Sequence, residues 1–117
     1  MISKELLSLV LNEEFTRPSE FKIVGNNIKW YEMTIQNTPR YLRQINLDTL
    51  GRLCKEWCIK QGYRIMSGYY TNSEKYMIKA EVRKGIGLEA RIVYVSAKCN
   101  TEIEAIIKAT EWAAKDA

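Results

Sequence analysis

Histidine is absent from all 117 residues. Its absence removes the side chain that most often acts as a general acid or base near neutral pH, and the commonest transition-metal ligand. Cysteine is scarce. The three present form an odd number without disulfide-framework spacing, which points to a reducing, cytoplasmic setting. No run of about 18 apolar residues occurs, so no membrane-spanning helix is predicted. The opening MISKELLSLVL is too short for a signal peptide and runs into Glu13 and Glu14. Catalytic arrangements are missing too. No carboxylates pair at a useful spacing, and Ser67 lies in no nucleophile elbow. These absences point away from an enzyme and from a bound cofactor or metal.

What is present suffices for one domain over residues 1–117, with a core that needs no disulfide or metal staple. Its centre is Asn46 to Tyr63, NLDTLGRLCKEWCIKQGY. Asn46 or Asp48 can cap a helix there. Leu47, Leu50, Leu53, Cys54, Trp57 and Cys58 recur at three- and four-residue steps along one stripe, with Ile59 a misfit and Gly62 a natural stop. Cys54 and Cys58 share that stripe and read as small core hydrophobes rather than metal ligands, since structural zinc wants four closely spaced ligands.

A short helix is predicted over residues 3–12, with Ser3 as cap. An extended segment starts around Pro18. Strands follow at Phe21–Gly25 and Ile28–Ile35, joined through Gly25-Asn26-Asn27, and a third at Tyr41–Ile45. After the central helix the pattern changes to period two. Tyr63–Thr71 is a strand with Gly68 as a bulge, and a turn covers Thr71–Glu74. Lys75–Lys84 alternates with Tyr76, Ile78, Ala80 and Val82 inward. Leu88–Lys98 continues with Leu88, Ala90, Ile92 and Tyr94 on one face. Thr101-Glu102-Ile103-Glu104 is a capping box that opens a last helix, with Ile103, Ile106, Ile107, Thr110 and Ala114 toward the core. The fold class is α+β: an antiparallel sheet layered with three helices, in the order α-β-β-(β)-α-β-β-β-α.

Two surfaces are candidate sites. Ala105, Ala109 and Trp112 form a second stripe on the last helix. It is either an exposed Trp beside small residues or a groove covered by another subunit or partner, which leads to an expected homo-oligomer. The other is basic. Residues 60–98 hold eight Lys and Arg against three acids. Arg64, Lys79, Arg83, Lys84 and Arg91, with Tyr63, Tyr69, Tyr70 and Tyr76 nearby, are either the wet side of a sheet or a nucleotide- or nucleic-acid-binding face. Gly85-Ile86-Gly87-Leu88-Glu89-Ala90 fits the letters of a dinucleotide fingerprint, but the alternation after it predicts a strand where the fingerprint needs a helix.

SKELLSLVL, INLDTLGRLCKEWCIKQGY and TEIEAIIKATEWAAK together resemble stretches of small uncharacterised bacteriophage and prophage proteins, including those of Campylobacter-like bacteria. The resemblance covers both ends and the middle of the chain and implies a phage alpha-beta sandwich. It implies an accessory protein working in the host cytoplasm, and it carries over no functional residue. The expectation is a non-enzymatic protein that binds and inhibits a host defence protein, in the manner of an anti-CRISPR. The alternative is a nucleotide- or nucleic-acid-binding protein that uses the basic meander.

Overall fold

The computed structural model describes residues 2–14, 19–72, 75–85 and 87–116. The predicted segment around Pro18, the turn at Ser73-Glu74 and Ile86 lie outside the described residues. Among the described residues three helices and six strands follow the predicted order, so the chain is an α+β protein. The strands form two antiparallel sheets, ordered β1-β2-β3 and β4-β5-β6, instead of one. Each is a meander of neighbouring strands, which pair most readily through short turns. The chain divides into two compact units, Ile2–Leu50 and Gly51–Ala117. Among the described residues no helix is long and apolar enough to cross a membrane.

In the first unit α1 (Lys4–Leu11) is capped by Ser3, whose Oγ accepts from the Leu6 amide at 3.1 Å. Asn12 closes the helix in the left-handed region at φ 54°. Leu6, Leu7 and Val10 are buried. β1 (Ser19–Val24) and β2 (Asn27–Met33) pair antiparallel through the two residues Gly25 and Asn26. Gly25 alone has positive φ there, +60°, the pattern of a type II′ hairpin turn. β3 (Pro39–Asn46) completes the sheet, so β2 is central. Ile28 and Trp30 face inward and are 1 % exposed. Phe21 meets the Trp30 ring edge-on at 6.4 Å, and the Arg43 guanidinium lies 4.7 Å over it. Arg43 also pairs with Glu13. β2 ends two residues before Ile35, which is fully exposed in a loop closed by the Thr34–Thr38 hydroxyl contact.

Helix α2 (Leu47–Lys60) takes Asn46 as its cap, with the Asn46 Oδ1 accepting from the Asp48 amide at 2.8 Å. Of the predicted stripe Leu47, Leu50, Cys54 and Cys58 are buried and Leu53 and Trp57 half-buried, while Ile59 is 61 % exposed. Gly62 then adopts φ +90°.

In the second unit β4 (Tyr63–Asn72), β5 (Lys75–Lys84) and β6 (Arg91–Val95) form the sheet, and α3 (Glu102–Asp116) packs on it. Thr101 caps α3 through its hydroxyl and the Glu104 amide. Glu104 reaches back to the Asn100 amide, one residue before the partner that a capping box uses.

Three expectations are corrected. Gly68 is no bulge: it sits opposite Lys79 in a register unbroken from Tyr63↔Lys84 to Asn72↔Lys75. The register shifts lie elsewhere, between Trp30 and Tyr31 opposite β3 and between Val82 and Arg83 opposite β6. The second follows from the pairs Val82↔Tyr94 and Arg83↔Ile92, which leave Val93 as an extra residue. Ile92 therefore turns to the face away from Tyr94 and is 50 % exposed, while Val93 and Tyr94 both join the core. Leu88 and Ala90 do not extend the strand either. Gly87–Glu89 is a 3-10 turn with Leu88 fully exposed, so no helix long enough to hold a pyrophosphate follows the glycines.

Beyond Val95 a side chain joins the ladder, while the Ser96 amide still donates to the Ala80 carbonyl at 2.8 Å. Ser96 Oγ accepts from the Ala80 amide at 2.9 Å, and the Cys99 amide then donates to Ile78. Gly85 is the most constrained turn residue, at φ +103°. A Cβ there would stand 2.8 Å from the Glu89 carbonyl oxygen. Gly85→Ala is expected to lose about 2 kcal/mol or more, from left-handed strain and backbone crowding together. Chemical denaturation checks this: an unchanged midpoint would show that the turn relaxes freely.

Candidate functional site

The last helix buries both stripes. Ala105, Ala109 and Ala113 have no exposed surface and lie in one cluster with Tyr63, Ile65, Ala80 and Val82 of the sheet. On its other side, an added Cβ at Gly51 would approach Ile103 Cδ1 to 3.3 Å and Ile106 Cδ1 to 3.4 Å. Glycine within α2 is thus where α3 comes close, which accounts for a residue that costs a helix about 1 kcal/mol. Trp112 is partly buried. It stacks on Tyr94 with centroids 5.3 Å apart and meets Tyr63 edge-on at 6.1 Å. Ala105, Ala109 and Trp112 therefore pack inside their own unit. Ala105 and Ala109 thus line no open groove but a sheet-facing stripe, while Trp112 keeps part of its surface exposed.

The thiols are internal as well. Cys54, Cys58 and Cys99 are free and buried. Burial pushes the Cys54 thiol up to about 12 and Cys58 to about 11, against a smaller opposing pull from Thr110. Such thiols are poor nucleophiles at neutral pH. Among the described residues no three or more Cys, Asp or Glu side chains gather to hold a metal ion.

The basic residues behave differently. Directly opposed residues of neighbouring antiparallel strands point to the same side. Arg64 stands opposite Arg83, and Arg83 opposite Ile92. On the next rung Tyr63 stands opposite Lys84, and Lys84 opposite Arg91. Four cations thus occupy two successive rungs at one end of the sheet. Arg64 and Arg83 lie on the face away from α3. Lys84 and Arg91 share the face of Tyr63, whose ring lies 5.5 Å beneath Lys84 Nζ. Lys79 is separate. It lies four residues along β5 from Arg83, about 13 Å at strand rise.

Compensating acid is sparse here. Glu81 accepts from Arg83 at 3.1 Å and is itself largely covered, between Met66 and Val95 on its rung. Arg83 Nε is buried with no acceptor among the described residues. Asp116 accepts from the Tyr63 hydroxyl at 2.5 Å. That hydrogen bond, with burial and the Asp116 charge, raises the tyrosine above its usual range. Arg64, Lys79 and Arg91 make no ion pair among the described residues. Tyr69 is largely exposed, and the side chains of Tyr70 and Tyr76 are not among those described.

The sheet of the first unit carries a pattern that the sequence reading passed over. Lys22 stands opposite Lys29, and Tyr31 opposite Tyr41, on the side away from Trp30. Of these strands only β2 carries both types, Lys29 and Tyr31 two residues apart, while Lys22 stands on β1 and Tyr41 on β3, so the grouping depends on a register that the separate strands do not reveal alone. Comparison with protein-family models, curated proteins and solved structures returned no match.

Proposed function

We propose that the chain is a non-catalytic binding protein for a polyanion, nucleic acid being the ligand class, and that Arg64, Arg83, Lys84 and Arg91 hold its phosphates. The observation that carries this reading is the pair of adjacent rungs on which cation directly faces cation. Like charges placed opposite each other destabilise a sheet by a few tenths of a kcal/mol to about 1 kcal/mol. The orphaned Arg83 Nε adds a further cost. Phosphates at this end would relieve the repulsion that folding creates. The lack of histidine and the inert thiols support binding over catalysis.

The test is fluorescence anisotropy with a labelled oligonucleotide across a salt series. Four phosphate contacts give an expected slope of log K against log salt of about −3, since each contact on a single strand contributes about −0.7. Arg64→Glu with Arg83→Glu is expected to weaken binding at least a hundredfold and to flatten the slope. Equal affinity for the double variant would exclude this surface. A second reading, capture of a host protein as the phage resemblance implies, draws on Met66, Ile92 and Val95. These lie on the same outward face as Arg64 and are each about half exposed. A protein complex that survives high salt would favour it.

A further inference from the structure

We infer that the outward face of β1–β3 is a stacking platform for single-stranded nucleic acid, with Tyr41 as the base-contacting residue and Lys22 and Lys29 as phosphate contacts. The inference rests on the proposed function and narrows it to single strands.

Two neighbouring rungs carry the argument. One holds Lys22, Lys29 and Gln44 in a row across the three strands. The next holds Glu20, Tyr31 and Tyr41. Along β1 and β2 these rungs are two residues apart, about 6.7 Å, and on β3 the register shift sets Gln44 and Tyr41 three residues apart. Tyr31 and Tyr41 meet edge-to-face at 5.9 Å and 66°, and Lys22 Nζ sits 5.7 Å over the Tyr31 ring. Tyr41 remains 51 % exposed. Edge-to-face packing fixes its orientation without covering it, which suits a ring that receives a planar group.

Charge distinguishes this face from a merely solvated one. The arginines of β3 are committed to acids: Arg40 to Glu32 at 2.9 Å, and Arg43 to Glu13. Lys22 and Lys29 oppose each other with no carboxylate partner among the described residues. Glu20 is the one acid on the two rungs, opposite Tyr31 at the β1 edge. It repels phosphate from that edge and leaves Tyr41, at the β3 edge, as the place for a base. Duplex DNA keeps its bases stacked on each other, so only an unpaired strand can offer one to a tyrosine.

The experiment compares three probes in anisotropy or competition: a 20-nucleotide oligothymidine, a duplex of the same length and inorganic polyphosphate. Oligothymidine is expected to bind more tightly than duplex. Tyr41→Ala is expected to weaken oligothymidine binding about tenfold, the loss of one stacked base, and to leave polyphosphate binding unchanged. Tyr41→Phe keeps the ring and is expected to match the parent. Lys22→Gln with Lys29→Gln is expected to reduce the salt slope by about 1.4. Equal oligothymidine binding by Tyr41→Ala and the parent, or equal affinity for duplex and single strand, overturns the inference. If that happens while Arg64→Glu with Arg83→Glu still abolishes binding, the platform falls and the proposed function stands. Failure of the parent to bind all three probes overturns both.

Discussion

Replacing Trp112 by alanine is expected to remove about 3 kcal/mol of folding stability from the Gly51–Ala117 unit and to leave the association state unchanged. Truncating a core tryptophan costs about 3 to 5 kcal/mol, and partial exposure places this one at the low end. Its two ring partners account for part of the loss, since aromatic pairs add about 0.5 to 1.5 kcal/mol beyond burial. One partner is the stacked Tyr94 and the other the edge-on Tyr63. Tyr63 would also lose a neighbour that holds it toward Asp116. Urea denaturation reads the stability and sedimentation reads the association state. An unchanged midpoint accompanied by a changed oligomer would return Trp112 to an interface.

The second large effect is alkaline destabilisation. Burial raises Cys54 to about 12 and Cys58 to about 11 from an ordinary value of 9.0. The folded chain therefore holds both protons more tightly than the unfolded chain. Stability from this source is fully present below pH 9 and is lost as pH rises from there through 11 and 12. While the unfolded thiols are ionised and the folded ones are not, each costs about 1.4 kcal/mol per pH unit, so two cost about 2.7. The raised Tyr63 acts in the same direction at higher pH. Denaturation midpoints at pH 8, 9 and 10 check the slope. Cys54→Ala with Cys58→Ala is expected to start less stable and to lose the thiol share of the decline. Parallel curves for parent and variant would contradict the burial argument.

Helix positions were legible in the sequence because their signals are local. Ser3 and Thr101 announced two caps and the pair Asn46 or Asp48 a third, and Ser3, Asn46 and Thr101 all accept from amides within three residues. The inward face of β5 at Ala80 and Val82 was legible from alternation alone. Partnering was not. Ala105, Ala109 and Trp112 form a second apolar stripe in either reading, and only the tertiary arrangement shows that α3 lies between the sheet and α2. The four cations at one end of β4–β6 were named from composition. That Lys79 stands apart, and that Lys84 and Arg91 point opposite to Arg64 and Arg83, follows from register. The alternation weakens where Val93 and Val95 fall on the polar face, but that does not place the extra residue at Val93, because valine suits a regular strand as well as a bulged one.

That extra residue also bears on how the second unit folds. Pairing β6 to β5 without it would bury Ile92 together with Tyr94, which is the alternation that the sequence itself suggests. The bulge-free ladder is therefore a competing misregistered state, built from the same hydrophobic side chains as the native one. Since a one-residue slip exchanges the two faces of a strand, it would carry Ile92 inward from its place beside Arg83. The Lys84–Arg91 pair beyond the bulge thus owes its alignment to a residue that carries no charge, whereas Arg64 and Arg83 meet across β4–β5 in either register.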